Sequence, residues 1–124
     1  MTARQIRTFR SHLEAKQSDL EQRIQLMRDR LAIERLGDTP DRVPVIHERE
    51  SAARAIAFEI RLLRQVKGAL GEIAAGTFGR CAGCDEDIPA RRLKAVPWSP
   101  YCLLCQEKAE GPSPLRAPAL AQTG

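Results

Sequence analysis

The sequence predicts a mainly α fold: a long antiparallel helical hairpin of coiled-coil type, a small domain with four cysteines, and a short C-terminal helix. Three observations support this prediction. Of the 124 residues, 29% are charged and only 4% are aromatic, which suits long amphipathic helices better than one compact core. Two long stretches repeat apolar residues at helical spacing. The four cysteines form two closely spaced pairs.

The first helix is predicted over residues 3–36. Apolar residues recur every seven positions, and others fill the alternate positions of the same seam: Ile6, Leu13, Leu20 and Met27, then Ile24 and Leu31. Gly37 is expected to end this helix, because glycine readily adopts the left-handed conformation of a helix C-cap.

The second helix is predicted over residues 44–75, after a turn in which Pro40 and Pro44 interrupt regular structure. Asp41 is its candidate N-cap, and Lys67 is expected to interrupt its apolar seam. The seam residues are Ile56, Ile60, Leu63, Leu70 and Ala74, with Val66 and Ile73 beside them. Two helices of this length joined by a short turn pack antiparallel, as a rod about 45–50 Å long.

The chain therefore divides into three predicted parts. Residues 1–76 form the antiparallel coiled-coil hairpin, with its tip at residues 37–45. Residues 77–110 form a four-cysteine zinc-finger domain. Residues 111–124 contain three prolines and little to bury, and a disordered tail is expected there.

The four cysteines carry the clearest chemical signal in the sequence. Cys81 and Cys84 form one C-x2-C pair, and Cys102 and Cys105 form a second one after seventeen intervening residues. This spacing is typical of zinc sites in which each pair makes a knuckle and four thiolates complete a tetrahedron. One structural Zn2+ is the predicted cofactor, and the finger is expected to unfold without it.

Three other interpretations of the cysteines remain. They are an iron–sulfur cluster, a redox switch that expels zinc on oxidation, and four unrelated core cysteines. The sequence gives no sign of a redox partner for an iron–sulfur cluster. Trp98 lies between Pro97 and Pro100, and we expect it to pack over one of the knuckles.

Composition and charge also restrict the cellular compartment and the functional class that are expected. The polar N-terminus lacks the apolar core of a signal peptide, and no stretch approaches the ~20 apolar residues of a membrane span. A cytoplasmic protein without a membrane partner is expected, and in that reducing compartment cysteines favour metal over disulfides. The net charge of +4 is spread along the chain, so direct DNA binding is not expected. No nucleophile–base pair or phosphate-binding loop appears, and an enzyme is not expected.

Around the cysteines the sequence resembles the DksA/TraR family of bacterial transcription regulators. The resemblance covers about residues 38–110, whereas residues 3–37 match in helical character only. The family's longer members have an additional N-terminal segment, so a shorter, DksA-like member is expected. The matching residues are Phe78, Gly79, Arg80, Cys81, Cys84, Ile88, Arg92, Leu93, Ala95, Pro97, Cys102 and Cys105.

The resemblance implies a partner and a mode of action. Family members insert the coiled coil into the secondary channel of RNA polymerase, where an Asp-x-x-Asp-x-Ala tip approaches the active centre. Here the aligned tip residues are Asp38, Asp41, Arg42 and Val43, with valine where the family has alanine. The resemblance thus implies a monomeric regulator that binds RNA polymerase and modulates initiation. Capping of the helix–helix turn is the alternative role for the two acids.

The resemblance also indicates a difference in regulation. Family members help to bind the alarmone ppGpp through basic residues near the finger, and the aligned positions here are Gln65, Val96 and Gln106. None is basic, so weak ppGpp dependence is expected. Arg91, Arg92 and Lys94 form a small basic group on the finger that is a possible contact for polymerase or a phosphate.

Two other functions are compatible with the sequence alone. One is a zinc-finger protein that binds DNA directly through the first helix and the finger arginines. The other is a structural coiled-coil adaptor that dimerises through Leu26, Ile33 and Leu36.

Overall fold

A computed structural model describes residues 1–36 and 43–111, with the backbone alone described for residues 34–36 and 43–47. Four helices are present in this part of the chain: α1 (Ala3–Leu36), α2 (Val43–Ala75), α3 (Ala90–Ala95) and α4 (Leu103–Glu110). Both long helices lie within a residue of their predicted bounds. The predicted tail falls almost wholly on residues 112–124, which lie outside the described residues, as do residues 37–42 of the predicted tip.

The hairpin is held together by apolar residues that α1 and α2 bury against each other. Its main cluster joins two leucines of α1 to three residues of α2: Leu13, Leu20, Val66, Ala69 and Ile73. Farther from the finger, Ile24 and Ile56 are also buried. An ion pair between Arg23 and Glu59, with Nη1 and Oε1 3.3 Å apart, links the helices across the seam. The residue numbers of the contacting partners on α2 fall as those on α1 rise, so the two helices are antiparallel.

Most of the predicted seam of α2 is observed: Ile56, Val66 and Ile73 are buried, and Leu63 and Leu70 pack against the hairpin cluster. Ala74 is exposed, so its placement in the seam was wrong, and Lys67 is also exposed and interrupts nothing. Towards the finger the buried line runs through Val66, Ala69 and Ile73, of which only Ala69 was not predicted. A straight helix has 3.6 residues per turn and drifts by about 20° per heptad against a strict seven-residue repeat. Over 33 residues this drift moves the contact face to a neighbouring row of side chains.

The finger packs on the open end of the hairpin. α2 ends at Ala75, and Gly76 follows in the left-handed region at φ 80°. Phe78 and Trp98 of the finger pack against the hairpin cluster, and Phe9 of α1 contacts the clusters of both the hairpin and the finger. The expectation that Trp98 covers a knuckle was therefore wrong. Its ring lies on the hairpin, with Lys16 Nζ 5.4 Å from the ring centroid.

Within the described residues the finger contains no β-strand, only an isolated antiparallel bridge between Arg80 and Asp87. The short C-terminal helix that the sequence predicted is α4, whereas α3 was not predicted. No helix in the described part of the chain has both the length and the apolar character needed to cross a membrane.

The packing predicts which leucines stabilise the hairpin. Leu20 has no exposed surface, whereas Leu26, farther along α1, is 66% exposed. Leu20→Ala should lower the free energy of unfolding by about 2–5 kcal/mol, because it leaves a cavity in the seam. The matched change Leu26→Ala should stay within about 0.5 kcal/mol. Urea denaturation followed by helical circular dichroism measures both, and equal losses would contradict the seam described here.

Candidate metal centre

The four predicted ligands meet at one point in the finger. Cys81, Cys84, Cys102 and Cys105 place their Sγ atoms within 4.8 Å of one another, and none of them is in a disulfide. Cys84 Sγ and Cys102 Sγ are 3.9 Å apart. Zinc–sulfur bonds of about 2.3 Å in a tetrahedron require sulfurs about 3.8 Å apart. The donor set thus has the number, chemistry and spacing for one closed four-thiolate site.

The first knuckle is a turn closed by backbone hydrogen bonds. The N–H of Cys81 donates to Glu86 O at 2.8 Å, and the N–H of Ile88 donates to Gly79 O at 2.7 Å. Between these bonds the chain turns through Asp85, whose φ is 62°. The turn holds Cys81 and Cys84 on the same side of the loop, as two ligands of one ion require.

The second knuckle is the start of a helix. Cys102 is the N-cap of α4, and Cys105 lies in its first turn. The α4 helix therefore fixes the relative position of the two sulfurs of this pair.

Cys81 is the buried centre of the site. The N–H groups of Gly83 and Cys102 both donate to Cys81 Sγ at 3.3 Å. Burial would raise the pKa of Cys81, but backbone hydrogen bonds from Cys102, Cys84 and Gly83 outweigh it and lower the pKa to about 6. Hydrogen bonding to Cys81 and Cys102 raises the pKa of Cys105 to about 12. A bound dication lets all four sulfurs ionise together.

Gly83 is a site residue that the sequence analysis did not single out. A Cβ at this position would lie 2.9 Å from Cys105 Sγ, closer than real Cβ contacts allow. Any side chain would therefore push the two knuckles apart. The available signal was the glycine inside the first C-x2-C pair, at the position next to Cys84.

Arg92 was predicted as a possible basic contact, but its guanidinium lies inside the finger. Nε donates to Tyr101 O at 3.0 Å and Nη2 donates to Ser99 Oγ at 3.1 Å. The Ser99 hydroxyl is buried and in turn donates to Tyr101 O at 2.9 Å. These bonds fix the backbone directly before Cys102. Arg91 and Lys94 are exposed, and for them a contact with polymerase stays a prediction.

The predicted tip residues are not part of this centre. Asp38, Asp41 and Arg42 lie outside the described residues, and Val43 is described only as the first residue of α2. The predicted tip site stays a prediction.

Comparison with known proteins finds a family model that matches the segment around the metal centre. A family model described as the prokaryotic dksA/traR C4-type zinc finger matches residues 76–111. An uncharacterized protein of Aquifex aeolicus (strain VF5) is 48% identical over 52 residues, which are 42% of this chain and 36% of that protein. The match thus spans about a third of this relative's own length. The matched finger type and the clustered cysteines assign one structural zinc ion to the site.

Three solved structures share the fold. Transcription factor DksA2 from Pseudomonas aeruginosa has a TM-score of 0.72 and 27% identity, covering 89% of this chain and 86% of the other. An RNA polymerase binding protein and transcriptional regulator from Chlamydia trachomatis L2 has a TM-score of 0.58 and 24% identity, covering 89% and 92%. The DnaK suppressor protein from Agrobacterium tumefaciens C58 has a TM-score of 0.54 and 26% identity, covering 82% and 90%.

The position of Arg92 predicts that it supports the metal centre without contacting the ion. Arg92→Ala leaves Ser99 and Tyr101 O without their charged donor and should weaken zinc binding about tenfold, as changes behind metal ligands commonly do. Arg91→Ala is the matched control, because it removes the neighbouring exposed arginine. Competition with a zinc chelator gives the affinities, and cobalt substitution reports the ligand geometry. Equal affinity in the two variants would show that the Arg92 hydrogen bonds do not organise the site.

Proposed function

We propose that this chain, whose residues 76–111 belong to the DksA/TraR family of C4-type zinc fingers, is a transcription regulator that binds RNA polymerase. In this proposal the hairpin enters the secondary channel of the polymerase and the tip modulates initiation. The observation that carries the proposal is the joining of a long two-helix rod to a finger of this family. The shared fold with DksA2 over 89% of the chain supports it.

The dimensions of the hairpin suit such a probe. α1 has 34 residues and α2 has 33, so each spans about 50 Å at 1.5 Å per residue. The finger packs beside Phe9 near the start of α1, and α1 runs away from it to Leu36. A narrow rod with its bulk at one end can reach into a channel while the finger remains outside.

The acids of the tip are the proposed effectors. Asp38 and Asp41 would contact basic elements of the polymerase or alter the electrostatic field near its catalytic magnesium, together with Arg42 and Val43. Either effect would destabilise open complexes at sensitive promoters. Charges act strongly in such a confined, partly dehydrated site, because the local dielectric constant is low.

Removal of one tip charge tests this proposal. Asp41→Asn should leave the fold intact, because asparagine caps helices as well as aspartate does. The variant should lose its effect on promoter initiation in transcription with purified bacterial RNA polymerase. Glu14→Gln is the matched control, because Glu14 is an exposed acid near the other end of α1. Full activity of Asp41→Asn, with both variants folded and zinc-loaded, would refute the role of the tip.

We also propose that the protein acts with little help from ppGpp. Gln65, Val96 and Gln106 all line one cavity of about 390 Å3, together with Arg92, Glu107 and Glu110. The guanidinium of Arg92 is already hydrogen-bonded to Ser99 and Tyr101. Two carboxylates and a single cation, whose guanidinium already donates to Ser99 and Tyr101, make these lining side chains a poor site for phosphates.

A ppGpp titration of the same transcription assay tests this second proposal. Saturating ppGpp should change the transcriptional effect of the wild type by less than about twofold, because charge-assisted hydrogen bonds to the ppGpp phosphates are missing. The double change Gln65→Lys and Gln106→Lys adds two cations to the cavity and should increase the response. A strong ppGpp-dependent rise in inhibition by the wild type would overturn the proposal.

A further inference from the structure

A second, larger cleft lies between the first turns of α1 and the finger, with a volume of about 780 Å3. One wall is a face of α1 that α2 does not cover, and the other wall belongs to the finger. Neither a zinc ligand nor a residue of the Gln65 cavity lines it. The side chains that define its chemistry are Arg4, Phe9, His12, Phe78, Asp87 and Lys94.

The floor of the cleft is apolar and fixed in place. The rings of Phe9 and Phe78 meet in a tilted arrangement with centroids 5.3 Å apart and planes at 52°. Both rings also pack against the buried clusters of the hairpin and the finger, so the floor cannot shift without disturbing both. Beside it, Gly79 has no side chain, and a Cβ there would lie 3.1 Å from Met1 Cε.

The rim of the cleft carries an excess of cations. Arg4 and Lys94 are exposed, and within the described residues their side chains form no ion pair or hydrogen bond. His12 adds a hydrogen-bonding imidazole. Asp87 is the one carboxylate among the described residues that line the cleft. A ligand carboxylate would thus be attracted by two cations, Arg4 and Lys94, and repelled by one carboxylate, Asp87.

We propose that this cleft binds a small organic anion with an apolar body, such as an aryl or acyl carboxylate. The body would lie on the two phenylalanine rings, where aromatic and aliphatic groups gain contact area. The anionic head would be held by Arg4 and Lys94 in charge-assisted hydrogen bonds. The volume is within the range of about 300–1,000 Å3 that small-molecule sites occupy.

Matched probes distinguish recognition of the carboxylate charge from nonspecific hydrophobic adsorption. The zinc-loaded full chain is titrated with 2-naphthoate, its neutral isostere 2-naphthamide, and decanoate, by calorimetry and by amide chemical-shift mapping. Saturable binding of both carboxylates is expected, with the amide at least about tenfold weaker, as one lost charge-assisted contact implies. Shift changes should centre on Phe78, Gly79 and Ala90. Equal binding of 2-naphthamide, or no saturable binding of either carboxylate, would overturn the proposal.

Two pairs of variants locate the site. The double variant Arg4→Gln with Lys94→Gln should weaken the binding of 2-naphthoate about tenfold. The control Arg28→Gln with Lys67→Gln removes the same charge from exposed positions elsewhere and should leave the affinity for 2-naphthoate unchanged. Ala90→Trp fills the cleft and should abolish binding, whereas Ala53→Trp adds the same ring to an exposed position of α2 and should not. Binding that is unchanged by both cleft variants would place the ligand elsewhere and refute the assignment.

Discussion

Thiolate coordination of one metal ion holds the finger together, because little else in this segment could. Its buried cluster consists of Cys81, Ile88 and Leu93, with a few half-buried neighbours, far too little apolar area to offset the conformational entropy of about 35 residues. Cys81 is at once a ligand and a core residue. The N–H groups of Gly83 and Cys102 both point at its sulfur, so the knuckles, the start of α4 and the core are built around one atom.

The finger is joined from that centre to the hairpin through a short chain of contacts. Arg92 and Ser99 fix the backbone before Cys102, and Trp98, next to Ser99, packs on the hairpin cluster. Phe9 and Phe78 close the other side of the junction. The metal centre therefore sets the position of the finger on the rod. In the proposed function the chemistry on the target occurs at the far end, around Asp38 and Asp41, while zinc supplies the shape.

Features encoded by local sequence were predictable, and features set by packing between segments were not. The bounds of α1 and α2 follow from the periodicity of apolar residues and from the glycines and prolines between the helices. The zinc ligands follow from the two C-x2-C pairs. The orientation of Trp98 depends on which surface the finger meets, which no local pattern records. The same holds for Phe9, whose role appears only once hairpin and finger are packed. Arg92 looked like a surface cation because its acceptors, Ser99 Oγ and Tyr101 O, lie seven and nine residues away.

Zinc organises the finger, whereas the hairpin has its own core. Hydrogen–deuterium exchange with and without a strong zinc chelator distinguishes the stability of the two parts. Without zinc, amides of residues 77–111 should exchange at nearly unprotected rates, because metal coordination by the thiolates supplies the free energy that folds this segment. Amides near Leu20 and Val66 should stay protected, because those side chains are fully buried in the seam. A finger that keeps its protection without metal would show that zinc does not organise it.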